Sequence, residues 1–97
     1  MSLIFGLDYD NTFTADPPLW RQFISDAERR GHTVVCVTAR RAPPDFSREP
    51  ALPQSVRVVC SGPDYKRDAA QRAGYSVNIW IDDMPGVIEP SRILNFD

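Results

Sequence analysis

Histidine is nearly absent from this chain, cysteine occurs twice, and no apolar run approaches the length of a membrane-spanning helix. Each shortage excludes something. With no Cys-x-x-Cys pair, and with the single His32 standing alone behind Gly31, a zinc site lacks its ligand set. His32 is expected to be an exposed turn residue rather than a base or a ligand. Cys36 and Cys60 lie inside the Val-rich runs VVCV and VVC. Free buried thiols are expected there, because cysteine packs as a small hydrophobe and a disulfide framework needs more partners in turns. The apolar stretches fall short of the roughly 20 residues that span a bilayer, and no basic start leads into a long apolar segment. A cytoplasmic location with no membrane partner is the expectation. Charge of neither sign dominates: Lys+Arg number 11 and Asp+Glu 13, a formal net charge of -2. Nucleic acid or an anionic membrane would have to be reached through a local patch.

What is present is one domain's worth of chain. At 97 residues, 42% hydrophobic and 25% charged, residues 1–97 are read as a single water-soluble globular domain. The excess is in proline, nine residues whose positions punctuate the chain into elements. Leu3–Leu7 is a continuous apolar run that suits a strand covered on both faces. Asp16 followed by Pro17 is a helix start, and Leu19, Trp20, Phe23, Ile24 and Ala27 are expected to form one buried stripe of a helix that runs on to about Arg30 and stops at Gly31. Trp20 is read as core first and as a substrate platform second. Thr33–Thr38 and Val56–Cys60 are β-branched runs that read as strands. The prolines of residues 39–55 predict a crossover reduced to a turn or two where a helix would normally stand. A helix is expected from Asp64 to Ala73 with Ala69, Ala70 and Ala73 facing the sheet, then a strand from Val77 to Ile81. Residues 92–96 are a candidate edge strand. This alternation reads as α/β: a Rossmann-like three-layer sandwich with a four- to five-stranded parallel sheet.

Such sheets carry ligands beyond the carboxyl ends of their strands. There the sequence places Asp8-Tyr9-Asp10-Asn11-Thr12 after the first strand, Thr38 at the end of the second, Lys66 after the third and Asp82-Asp83 after the fourth. Each signal alone has an ordinary structural explanation. Their joint placement at one sheet edge is different, because converging carboxylates repel unless a cation or proton joins them.

This constellation resembles the haloacid dehalogenase superfamily of phosphotransferases, from Phe5 to about Val87. The family motif DxDx[TV] is matched by Asp8, Asp10 and Thr12, its Ser/Thr by Thr38, its Lys by Lys66 with Arg67 as a neighbouring alternative, and its acidic pair by Asp82 and Asp83. The resemblance implies a Mg²⁺-dependent phosphatase working through an aspartyl-phosphate intermediate on Asp8. Asp10 would be general acid and base, and Thr38 and Lys66 would bind the phosphoryl group. Mg²⁺ would be held by Asp8, the Asp10 backbone carbonyl, Asp82 and Asp83, with Asn11, Thr12 and Arg40 supporting. Asp10 favours a phosphatase over the family's dehalogenases and ion pumps, which lack an acid at that position.

There is no room for a cap domain, so the site should be open. That implies a phosphorylated substrate of macromolecular size, with a nucleic-acid end as one option and Arg40 and Arg41 as contacts to its backbone phosphates. Two other readings compete. A catalytically idle phosphate- and metal-binding regulatory module would keep the fold without needing Asp10. A response-regulator receiver domain has similar residues but in a different order along the chain.

Overall fold

The computed structural model describes residues 2–90. Four strands, β1 (Ile4–Leu7), β2 (Thr33–Thr38), β3 (Arg57–Cys60) and β4 (Ile79–Ile81), form one all-parallel sheet in the order β3-β2-β1-β4. Two helices accompany them, α1 (Pro17–Arg29) and α2 (Lys66–Arg72). The protein is thus an α/β fold with a four-stranded parallel sheet, an arrangement compatible with a Rossmann-like one. The candidate strand at 92–96 lies outside the described residues, and no described helix is long and apolar enough to cross a membrane.

Helix α1 begins where the sequence says it should. The Asp16 carboxylate accepts a hydrogen bond from the Leu19 amide at 3.3 Å, and Pro17 fills the first turn, where a missing N–H costs nothing. The helix ends at Gly31, whose φ of 85° needs a residue without a Cβ. Ile24 and Ala27 are buried with Leu7, Val34 and Cys36, and Phe5, Trp20 and Phe23 close the same cluster. On the opposite face Ala70 of α2 meets Val35, Val37 and Val77. Strand β2 is therefore buried on both sides, which its unbroken run of Val-Val-Cys-Val requires.

Residues 39–56 carry no helix. The proline-rich crossover instead packs as an irregular strap on the α1 face, with Leu52 and Val56 entering the core cluster. The Tyr9 hydroxyl donates to the Pro50 carbonyl at 2.6 Å, and Arg21 donates to the Ala51 carbonyl at 2.8 Å.

Four expectations need correction. Leu19, expected on the buried stripe of α1, is exposed in the first turn of the helix. His32 is half-buried, and its Nδ1 accepts the Leu3 amide at 3.0 Å, so it pins the entry to β1. Helix α2 starts at Lys66, because residues 61–64 are taken up by a turn closed from the Asp64 amide to the Ser61 carbonyl. Ala73 caps its end in an exposed position. Finally, β4 starts at Ile79. Asn78 precedes it by pairing with Ile4 through both its amide N–H and its side-chain oxygen.

The absence of a side chain at Gly6 matters for β4. A methyl group there would stand 2.7 Å from Trp80 Cε3 and 3.0 Å from Val77 Cγ1, closer than packing tolerates. Gly6→Ala is expected to cost about 1–3 kcal/mol in urea denaturation. Adding Trp80→Leu should recover part of that loss, and strictly additive losses would contradict the proposed clash.

Candidate functional site

The chain runs from β1 outward to β2 and β3 and then returns to place β4 on the other side of β1. The strand order switches between β1 and β4, so the crevice of this sheet opens at their carboxyl ends. Leu7 pairs with Ile81 in register, and the Asp8 amide extends the ladder by donating to the Ile81 carbonyl at 2.9 Å. Asp8 and Asp82 consequently leave adjacent strands side by side.

Lys66 joins them. It is the first residue of α2, with only 2% of its side chain exposed, and its Nζ donates to Asp8 Oδ1 at 2.8 Å and to Asp82 Oδ2 at 2.5 Å. Arg67, the alternative cation, points away: it pairs with Glu89 and lies over the Trp80 ring. The remaining Asp8 oxygen, Oδ2, accepts the Thr12 hydroxyl at 2.9 Å, and Asp82 Oδ1 accepts the Met84 amide at 2.8 Å. Both carboxylates are thereby fixed from two sides. Burial pushes the Asp8 carboxyl up to about 6; the bond from Lys66 opposes this, while Asp83 and Asp82 add to it. Burial alone would pull Lys66 down, but its bonds to Asp8 and Asp82 hold it above the usual lysine range.

Asp8, Asp10, Asn11, Ala39, Lys66, Asp82, Asp83, Met84 and Val87 line one cavity of about 190 Å³. Asp8, Asp82 and Asp83 each offer a carboxylate oxygen within 4.8 Å of the others, a hard-oxygen donor set that suits Mg²⁺. Asn11 stands at the mouth with φ 63°, turning the chain after Asp10. Thr12 belongs to the site through its bond to Asp8. Thr38 is buried at the end of β2 but does not line the cavity, and its hydroxyl accepts the Arg40 amide at 3.2 Å.

Arg40 is committed within the protein. Its Nε and Nη2 donate to the two oxygens of Asp10 at 2.9 and 2.8 Å, and Nη1 and Nη2 donate to Glu49 at 2.9 and 2.6 Å. It is therefore less available to a ligand's backbone phosphates than the sequence suggested, while Arg41 stays exposed. Glu49 was not foreseen. It lies nine residues beyond Arg40 in an irregular segment, where no periodicity announces a partner. The cysteines offer no competing nucleophile, since burial pushes the Cys36 thiol up to about 12.

The raised Asp8 carboxyl makes a signed prediction. Between its ordinary 3.8 and about 6 the folded protein binds a proton that the unfolded chain releases. Stability from this group therefore falls as pH rises through that window and stays lower above it. In urea titrations with a chelator present, wild type should lose stability relative to Asp8→Asn between about pH 4 and 6. A difference between the two that stays constant with pH would contradict the assignment.

Compared with protein-family models, with curated proteins and with solved structures, the chain matches none.

Proposed function

We propose that this protein is a small, capless phosphatase of the haloacid dehalogenase type, hydrolysing phosphomonoesters through an aspartyl-phosphate on Asp8. One observation carries the reading: a buried lysine and three aspartates from three separated segments meet at the switch point of the sheet. A structural ion pair needs one carboxylate for one ammonium. An excess of carboxylates in one crevice calls for a further cation, and a phosphoryl group attacked there supplies the anion that such a cation screens.

In this reading the nucleophile is the Asp8 carboxylate, oriented by Thr12. Asp82, Asp83, Asp8 and the Asp10 carbonyl would hold Mg²⁺, which when bound lowers the repulsion between a carboxylate and an anionic phosphate. Lys66 Nζ would bind the phosphoryl oxygens, the role the resemblance also gives to the Thr38 hydroxyl, which would first have to turn out of its bond with the Arg40 amide. Asp10, two residues beyond the nucleophile, would protonate the leaving oxygen and then take a proton from water.

The cavity edge bears on the substrate class. Two further cavities share lining residues with it, one of about 370 Å³ beside Leu19 and Trp20 and one of about 310 Å³ beside Tyr65 and Pro63. Leu19, Tyr65 and Met84, which line these cavities, are exposed. A phosphate on a bulky carrier suits this open edge, with the carrier excluding water that no cap excludes. Among the described residues lining these three cavities, Lys66 is the lone cation. Recognition is thus of one phosphate rather than a run of them, and a nucleic-acid end fits only on those terms.

Purified protein should hydrolyse p-nitrophenyl phosphate with Mg²⁺, and activity should vanish with a chelator and in Asp8→Asn. Turnover that resists chelation, or an active Asp8→Asn, contradicts the proposal. Tight binding of phosphate without turnover of any phosphorylated ligand would favour the idle regulatory module instead.

A further inference from the structure

Asp10 has to meet a leaving oxygen in one orientation, yet nearly half of its side chain is exposed and its own loop offers it no hydrogen bond. What holds it comes from the far end of β2. Arg40 grips both Asp10 oxygens, and the residue is itself fixed three further ways, two at the guanidinium and one at the backbone. Glu49 takes two of its N–H groups, its Cζ lies over the buried Tyr9 ring at 5.3 Å from the centroid, and its backbone N–H donates to the Thr38 hydroxyl. Tyr9 in turn is tied by its hydroxyl to Pro50, beside Glu49. The proline-rich strap thus closes a ring running Asp10–Arg40–Glu49–Pro50–Tyr9.

We propose that Arg40 is a positioning residue for Asp10, with Glu49 as its anchor, and that the strap exists in this form to hold them. The inference rests on the phosphatase reading. Glu49 is what makes the arrangement workable during catalysis. Because the guanidinium remains seated on Glu49 and Tyr9, Asp10 can give up one of its two bonds to carry a proton or reach the substrate, and keep the other as a pivot. Without Arg40 the half-exposed carboxyl would spread over several rotamers.

The consequence is specific to one step. When Asp8 attacks, an Asp8 oxygen bonds to phosphorus and the ester P–O bond breaks. Its electron pair leaves with the ester oxygen, and that oxygen takes the proton from Asp10. An alkoxide needs this proton. A 2,4-dinitrophenolate does not, so its ester reports on everything except the placement of the acid.

The experiment compares kcat/KM for an alkyl phosphate and for 2,4-dinitrophenyl phosphate in wild type, Arg40→Ala, Arg40→Lys, Glu49→Gln and Asp10→Asn, with Mg²⁺ present and the fold of each checked by circular dichroism. Asp10→Asn should lose about 10²–10⁴-fold on the alkyl ester and little on the dinitrophenyl ester. Arg40→Ala should show the same selective loss, about ten- to a hundredfold, since misplacing a reacting group costs that much. Arg40→Lys should not rescue it, because an ammonium cannot hold two carboxylates in a plane, and Glu49→Gln should fall between. If Arg40→Ala fails to fold, Arg40→Lys and Glu49→Gln carry the test. Losses equal on both esters, or no loss, overturn the inference and leave the phosphatase reading standing. A wild type that hydrolyses neither ester removes both.

Discussion

The Lys66 ammonium, buried between Asp8 and Asp82, is the contact on which the rest of the structure depends. It ties the first turn of α2 to the ends of β1 and β4, three segments far apart in sequence. Neither side of the contact tolerates the other's absence. An isolated buried ammonium or carboxylate costs several kcal/mol, and removing one partner from such a pair typically costs about 3–5 kcal/mol. Only a sheet that brings Leu7 alongside Ile81, with α2 crossing behind, puts the three groups together. The same residues, together with Asp83, line the cavity beyond the strand ends, so the charges that hold this end of the fold also border the candidate site.

A second tier of charge surrounds the first. Arg40 and Glu49 connect the end of β2 and the strap to Asp10, and the aromatic stack of Tyr9 on Phe13 forms their floor. The strap does a crossover helix's packing work through Leu52 and Val56, and it does so with irregular backbone that can place Glu49 under Arg40. A regular helix over the same residues would direct its side chains by a 3.6-residue period and not by the needs of Asp10.

The layout was largely legible in the sequence because each element carried its own local signal. Asp16-Pro17 marked a helix start, the β-branched runs marked strands, and prolines marked the crossover without a helix. The acids at the ends of β1 and β4 were legible because parallel topology forces strand ends to one edge, whereas the choice between Lys66 and Arg67 was not, since the packing of α2 decides which of two neighbouring cations turns inward. Other features depended on contacts distant in sequence. Glu49 meets Arg40 across an irregular loop, His32 meets the backbone of Leu3, and Trp80 fills the space that Gly6 leaves. No pattern within any single element encodes those encounters. Thr38 shows the reverse case, a residue placed correctly at a strand end whose hydroxyl is engaged by the turn that follows.

Covalent trapping tests the central claim, that Asp8 is a nucleophile held ready by Lys66, most directly. Protein quenched during turnover of a phosphomonoester and reduced with borohydride should yield homoserine at position 8 by peptide mass spectrometry, because an acyl phosphate is reduced where a free carboxylate is not. Sustained turnover with Asp8 unmodified in every quenched sample would contradict it.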